Sequence, residues 1–128
     1  MFIEEEQVMV HQQLTETILG CCFDVMNEIG AGFLEAVYKN ALAVALQQKG
    51  LEVRREVPFE MYFRGEHVGR YIADLVVKGQ VIVELKCCKS LLPEHQAQVI
   101  YYLKASRLII GLLVNFGQHR LEYKRLYG

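Results

Sequence analysis

The sequence predicts an α/β domain with helices flanking one mixed sheet, in the order helix, helix, three strands, helix, two strands. Three observations carry that reading. Apolar residues recur at helical spacing through most of the first fifty positions, and then strand-like runs fill residues 52–86. A helical stretch opening near Pro93 separates the strand that ends Glu84-Leu85-Lys86 from the apolar run 107–116, which makes a β-α-β unit with those two strands parallel. Finally, Asp74 and Glu84 interrupt two otherwise apolar strands, where a lone buried carboxylate is costly unless paired or bound to a cation.

A chain of 128 residues supports one domain with a real core, but not two. Its composition is that of a globular protein rather than a disordered one. No apolar run approaches the roughly 18 residues that a membrane-spanning helix needs. The opening MFIEEEQ is acidic and lacks the apolar segment of a secretory signal, so the expected location is the cytoplasm. Cys21-Cys22 and Cys87-Cys88 lack zinc-site spacing and read as free thiols packed in a reducing compartment.

Residues 1–11 read as a short acidic leader that frays, leaving a single domain over 12–128. From about 12 to 29, Leu14, Ile18, Cys21 or Cys22, Val25 and Ile29 share one helix face. Gly30-Ala31-Gly32 ends that helix with two residues free to take positive φ. A second helix spans about 33–49, with Leu34, Val37, Ala41, Leu42, Ala45 and Leu46 on its apolar side. Glu35 lies in its first turn, where the helix dipole favours a carboxylate, and Tyr38 follows on the same face. Helix capping alone would also account for Glu35 there.

Residues 52–63 form a strand with Val57, Phe59, Met61 and Phe63 facing one way. Pro58 lacks an N–H, so this strand belongs at an edge or carries a bulge. Arg64-Gly65-Glu66 turns it into strand 68–77, and Lys78-Gly79 turns again toward Glu84. Pro93 and Glu94 suit the first turn of the next helix. On it His95, Gln98 and Tyr102 share one face, with Ala97, Ile100, Tyr101, Leu103 and Ala105 as candidate core contacts. Run 107–116 is apolar enough to be covered on both faces. The last strand, 121–126, carries Glu122, Lys124 and Arg125, as an exposed edge does.

Strand parity puts Glu84 and Lys86 on one face with Ile82. Whether Asp74 joins them depends on the turn. A strict two-residue loop at Lys78-Gly79 pairs Asp74 with Val83 and sends the two acids to opposite faces. A three-residue loop, Val77-Lys78-Gly79, with Gly79 left-handed and a bulge, sets Asp74 diagonal to Glu84 on one face. The bulged turn is the expectation, because two carboxylates beside an ammonium can hold a hard divalent cation.

A net charge of −1 argues against a strong nucleic-acid binder, but the charge is unevenly spread. Residues 1–62 hold four Lys/Arg against ten Asp/Glu, and residues 63–128 hold ten against five. The basic half, which contains the candidate site, suits contact with phosphates, intramolecular partners or another subunit.

Asp74, nine residues, then Glu84-Leu85-Lys86 resembles the D…ExK signature of the PD-(D/E)XK nuclease superfamily. The element order is similar to that superfamily's restriction-endonuclease-like α-β-β-β-α-β core, and Gln98-xxx-Tyr102 is similar to the QxxxY motif of its RecB-like branch. Gly32-Phe33-Leu34-Glu35-Ala36-Val37-Tyr38 makes a full GxxExxY, so the chain resembles the small GxxExxY family, from about Leu14 to Tyr127. The resemblance implies a metal-dependent nuclease acting on nucleic acid, DNA ahead of RNA. It implies Mg²⁺ or Mn²⁺ held by Asp74, Glu84 and the Leu85 carbonyl, with Glu35 as a third acid, directly or through water. Lys86 would position water or stabilise charge, and Gln98 and Tyr102 would steady it. Lys89, Lys104, Arg107 and Arg120 are candidates for phosphate contact. A homodimer would let such a domain cut two strands.

Two other readings stand beside this one. Asp74, Glu84, Lys86 and Glu35 could form a buried salt-bridge network in a catalytically idle domain that binds a partner. His95 with Cys87 or Cys88 could hold a metal, although no His/Cys pair has zinc spacing.

Overall fold

The computed structural model describes the backbone of residues 2–128 and the side chains of Met9 and residues 11–128. Helices α1 (Phe2–Ile29) and α2 (Glu35–Gln48) precede strands β1 (Val53–Phe63), β2 (Glu66–Val77) and β3 (Val81–Lys86). Helix α3 (Pro93–Ser106) leads to β4 (Ile110–Asn115) and β5 (Glu122–Tyr127). The strands form one sheet in the order β1-β2-β3-β4-β5. Among the described strands only β3 and β4 run parallel; the other neighbours are antiparallel. This is the expected α/β architecture, a mixed sheet flanked by helices as in restriction-endonuclease-like folds. Pro58 sits on β1, the edge strand, one of the two placements its missing N–H allows.

Two cores hold the layers together. Helices α1 and α2 cover one face, packing Ile18, Cys22, Leu42 and Leu46 against Leu75, Val83, Leu85 and Leu112. Helix α3 covers the other with Val99, Tyr102 and Leu103 against Ile82 and Leu113. Each fully buried Leu or Ile contributes about 1.5–3 kcal/mol relative to exposure. Gly111 faces α3 so closely that a Cβ there would lie 2.7 Å from Val99 Cγ1, so the helix lies directly on the β4 backbone.

Several details differ from the sequence expectation. Helix α1 begins at Phe2 rather than near residue 12, so the stretch expected to fray continues the helix. Ile29, Leu34 and Val37 are exposed, and the buried stripe of α2 runs through Tyr38, Leu42, Ala43 and Leu46. Tyr38 displaces Val37 because its ring stacks on Phe116, with centroids 4.9 Å apart, while its hydroxyl is satisfied within a turn. On α3 it is Val99 rather than Tyr101 that joins the core. Phe63, expected in line with Val57, is exposed at the tip of the β1–β2 hairpin.

The hairpin also changes faces midway. Val53, Leu75 and Val77 belong to the α1/α2 side, yet Val57 and Ala73, at the same parity, belong to the α3 side. The reversal falls at Glu56, which takes φ 52°, and at Asp74 across from it; the ladder skips this pair between Arg55↔Leu75 and Val57↔Ala73. Positive φ in a non-glycine residue is a local strain that the surrounding structure has to hold in place.

Candidate active site

The β2–β3 connection positions the acids. It has three residues, as expected, but they are Lys78-Gly79-Gln80, since Val77 pairs with Val81. Lys78 and Gly79 both take positive φ, and Gln80 N–H donates to the Val77 carbonyl at 3.0 Å. The shift of one position sets Asp74 directly across from Glu84 rather than diagonal to it. Ladder pairing between the strands stops at Leu75↔Val83. Beyond that point the two acids replace it: Asp74 N–H donates to Glu84 Oε1 at 2.8 Å, and Leu85 N–H donates to Asp74 Oδ2 at 2.9 Å. The strands fork there, with both carboxylates in the fork.

Crowding two carboxylates into a fork has an electrostatic consequence. Glu84 is buried, and burial first, then the charge of Asp74, pushes its carboxyl up to about 8. Lys86, on the same strand, opposes that rise only weakly. Its ammonium donates to Gln98 Oε1 on α3 at 3.2 Å and, among the described residues, forms no ion pair within 4.0 Å. Tyr102, one turn further along α3, is raised to about 12 by burial and by Glu84, Asp74 and Tyr71, so its hydroxyl stays protonated. Its ring meets Tyr71 edge-on at 4.8 Å.

Glu35 arrives from the other side of the sheet as the first residue of α2. Desolvation and then Asp74 raise its carboxyl, while Lys86 and Lys39 lower it, so it stands within electrostatic reach of the fork. The turn that aims it is fixed by Tyr38, whose hydroxyl donates to the Gly30 carbonyl at 2.7 Å and accepts from Phe33 N–H at 3.2 Å. Gly30 and Gly32 take φ 74° and 103°, conformations that side chains resist. Tyr38→Phe would leave both backbone groups without that partner. The expected loss is about 1–3 kcal/mol of stability, read from urea unfolding.

One lysine was missed by sequence reasoning. Lys39 Nζ lies 3.9 Å from Asp74 Oδ1 and 3.1 Å from Glu56 Oε1. Its spacing of four from Glu35 was a usable signal, because it sets both side chains on one helix face. Glu56 gave no such signal, since it lies on β1, far from Lys39 in sequence, and takes φ 52°. His95 is a capping residue: its Nδ1 accepts from Leu92 N–H at 3.0 Å. All four cysteines are free thiols.

The donor set fits a hard divalent cation. Asp74 and Glu84 supply two carboxylates whose mutual repulsion a cation would relieve, and Mg²⁺ is commonly held by one or two carboxylates plus water and phosphate oxygens. Among the described residues, no three His, Cys, Asp or Glu side chains stand close enough to hold an ion, so Glu35 does not complete a three-acid cluster with them. The salt-bridge reading is met only in part: Lys39 pairs with Asp74 and Glu56, whereas Lys86 donates to Gln98.

Comparisons with known proteins bear on this geometry. No curated protein matches the chain. The solved crystal structure of SSO0001 is similar in fold, with a TM-score of 0.58 at 20% identity, over 72% of this chain and 48% of that one. The chain thus spans about half the length of that protein. No described helix is long and apolar enough to cross a membrane. The sequence model of the PD-(D/E)XK nuclease superfamily matches residues 12–126, the whole of the sheet and its flanking helices bar the start of α1 and the last residue of β5, and the chain accordingly belongs to that superfamily.

Proposed function

We propose that the protein is a metal-dependent nuclease of the GxxExxY branch that hydrolyses phosphodiester bonds in nucleic acid, DNA ahead of RNA. The observation that carries this reading is the fork itself. Two carboxylates share it, one deeply buried, while the nearest lysine of the motif is held off by Gln98 instead of neutralising them. A stabilising ion-pair network would place that ammonium on the acids.

When bound, Mg²⁺ or Mn²⁺ supplies Lewis acidity toward water and the phosphate. Asp74, Glu84 and the Leu85 carbonyl would hold it, and Glu35 would act through water. Lys86 is aimed by Gln98 to orient the attacking water or offset charge on the phosphate oxygens. Hydrolysis forms one P–O bond to water and breaks the P–O bond to the leaving sugar oxygen, which takes up a proton. The Tyr102 hydroxyl remains a donor throughout the working pH range. Lys39 restrains Asp74 from the α2 side. A homodimer would bring two such sites to the two strands of a duplex.

Millimolar Mn²⁺ added to the purified protein should raise its melting temperature. A cation at 100 times its dissociation constant adds about 2.7 kcal/mol. Asp74→Asn should lose that rise, and labelled single- and double-stranded DNA and RNA should reveal the substrate. Absence of both the thermal shift and any cleavage would leave the idle-domain reading in its place.

A further inference from the structure

Sequence alone offers Lys89, Lys104, Arg107 and Arg120 as equal candidates for phosphate contact. The fold separates them. Helix α3 starts at the end of the sheet where β3 finishes and returns to the end where β4 begins. Lys104 and Arg107 therefore lie at the far end from Glu84 and Lys86. Lys89 and Arg120 lie at the near end, in the loops 87–92 and 116–121 that follow the carboxyl ends of the parallel strands β3 and β4. That end is where open α/β sheets bind ligands.

These two loops are locked together by side chains. Asn115 is fully buried, and its Oδ1 accepts from Cys88 N–H at 3.0 Å and from Gly117 N–H at 2.9 Å. Its Nδ2 donates to the Cys88 carbonyl at 2.9 Å and to Glu122 Oε1 at 3.1 Å. The same Glu122 oxygen accepts from Leu91 N–H, and Gln118 Nε2 donates to the Lys89 carbonyl. Gly117 presses so closely that a Cβ there would lie 2.4 Å from both Cys88 N and Cys88 O. Directly beside Lys86, Phe116 N–H donates to the Lys86 carbonyl at 2.8 Å.

Hydrogen bonds at this density do little for the hydrophobic core, which is complete without them. Their effect is to fix the backbone of an exposed loop pair, and fixed geometry reduces the entropy lost on binding. The side chains displayed on it, Lys89, Ser90, His119 and Arg120, are all exposed. The neighbouring acids are Glu94, exposed at the start of α3, and Glu122, already engaged.

We propose that loops 87–92 and 116–121 form a preorganised clamp for the phosphate backbone of duplex DNA beside the site of cleavage, with Lys89 and Arg120 as its cationic contacts. The clamp rests on the nuclease reading of the fork. Each contact releases counterions, so the clamp sets both affinity and its salt dependence.

The test is fluorescence anisotropy of a short labelled DNA duplex with the full chain in EDTA, where nothing is cut, across a salt series. Lys89→Gln/Arg120→Gln should weaken binding about tenfold and lower the salt slope by about 2, one for each lost contact. Lys104→Gln/Arg107→Gln should bind as wild type does. All four positions are outside the core, so equal melting temperatures serve as the folding control. Wild-type binding that survives the first pair, or falls more with the second, overturns the clamp and leaves the nuclease reading intact. A wild type that neither binds duplex in EDTA nor cuts it with Mn²⁺ overturns both.

Discussion

Lys86→Ala should cut nucleic acid about 10²–10³-fold more slowly than wild type, the usual effect of removing one oriented donor from a charge-developing site. The ammonium is half-buried, stands two residues from Glu84 on the same strand face, and is aimed by Gln98 at 3.2 Å. Among the described residues no ion pair within 4.0 Å is lost with it, so the melting temperature should hardly move. Removing a positive charge beside the acids should, if anything, strengthen Mn²⁺ binding. Slow cleavage with metal binding retained is thus the signature of Lys86 acting on the reaction itself. Lys86→Arg should rescue little, because a planar guanidinium cannot take the place of a compact ammonium. Gln98→Ala should fall between, since it frees Lys86 without removing it. Single-turnover rates on a labelled duplex decide the matter: a Lys86→Ala rate equal to wild type would remove the mechanism.

The second large effect concerns Glu84 and pH. Its carboxyl is raised from 4.5 to about 8 in the folded protein, by burial and then by Asp74. Between those values the native state holds a proton that the unfolded chain has released. Stability of the metal-free protein should therefore fall as pH rises through that window and level off above it, by at most about 1.4 kcal/mol per pH unit. Glu84→Gln should abolish the decline and leave metal-free protein at pH 8 more stable than wild type by up to a few kcal/mol, at ~1.36 kcal/mol for each pH unit of that window. Excess Mn²⁺ should restore wild-type stability at pH 8 by displacing the proton that about half of the Glu84 carboxyls still hold there, and should do nothing for Glu84→Gln. Urea unfolding at several pH values, with and without Mn²⁺, checks all three outcomes. A wild-type stability that rises steadily from pH 5 to pH 8 without metal would show that Glu84 is not held as the geometry requires.

Much of the candidate site was legible in the chain. Asp74, Glu84 and Lys86 stood out because charge interrupts apolar strands, and Gln98 and Tyr102 because they share a helix face. Both signals are local periodicities, which need only neighbours a few residues apart. The element order and the parallel pair followed from the same signals, with connection length as the added rule. Tyr38 shares a helix face with Glu35 by spacing, but only the fold makes it the pin beneath that acid, through bonds to Gly30 and Phe33.

What the residues determined alone is therefore the inventory: an α/β sheet, two acids and a lysine on adjacent strands, a third acid at a helix start. Tertiary structure decided how they meet. The one-position shift of the β2–β3 turn, the reversal at Glu56 and Asp74, and the approach of Lys39 to both acids depend on which backbone groups find partners across the sheet. Periodicity along a chain constrains which face a side chain takes, whereas register and the sign of φ are set by packing against segments far away in sequence.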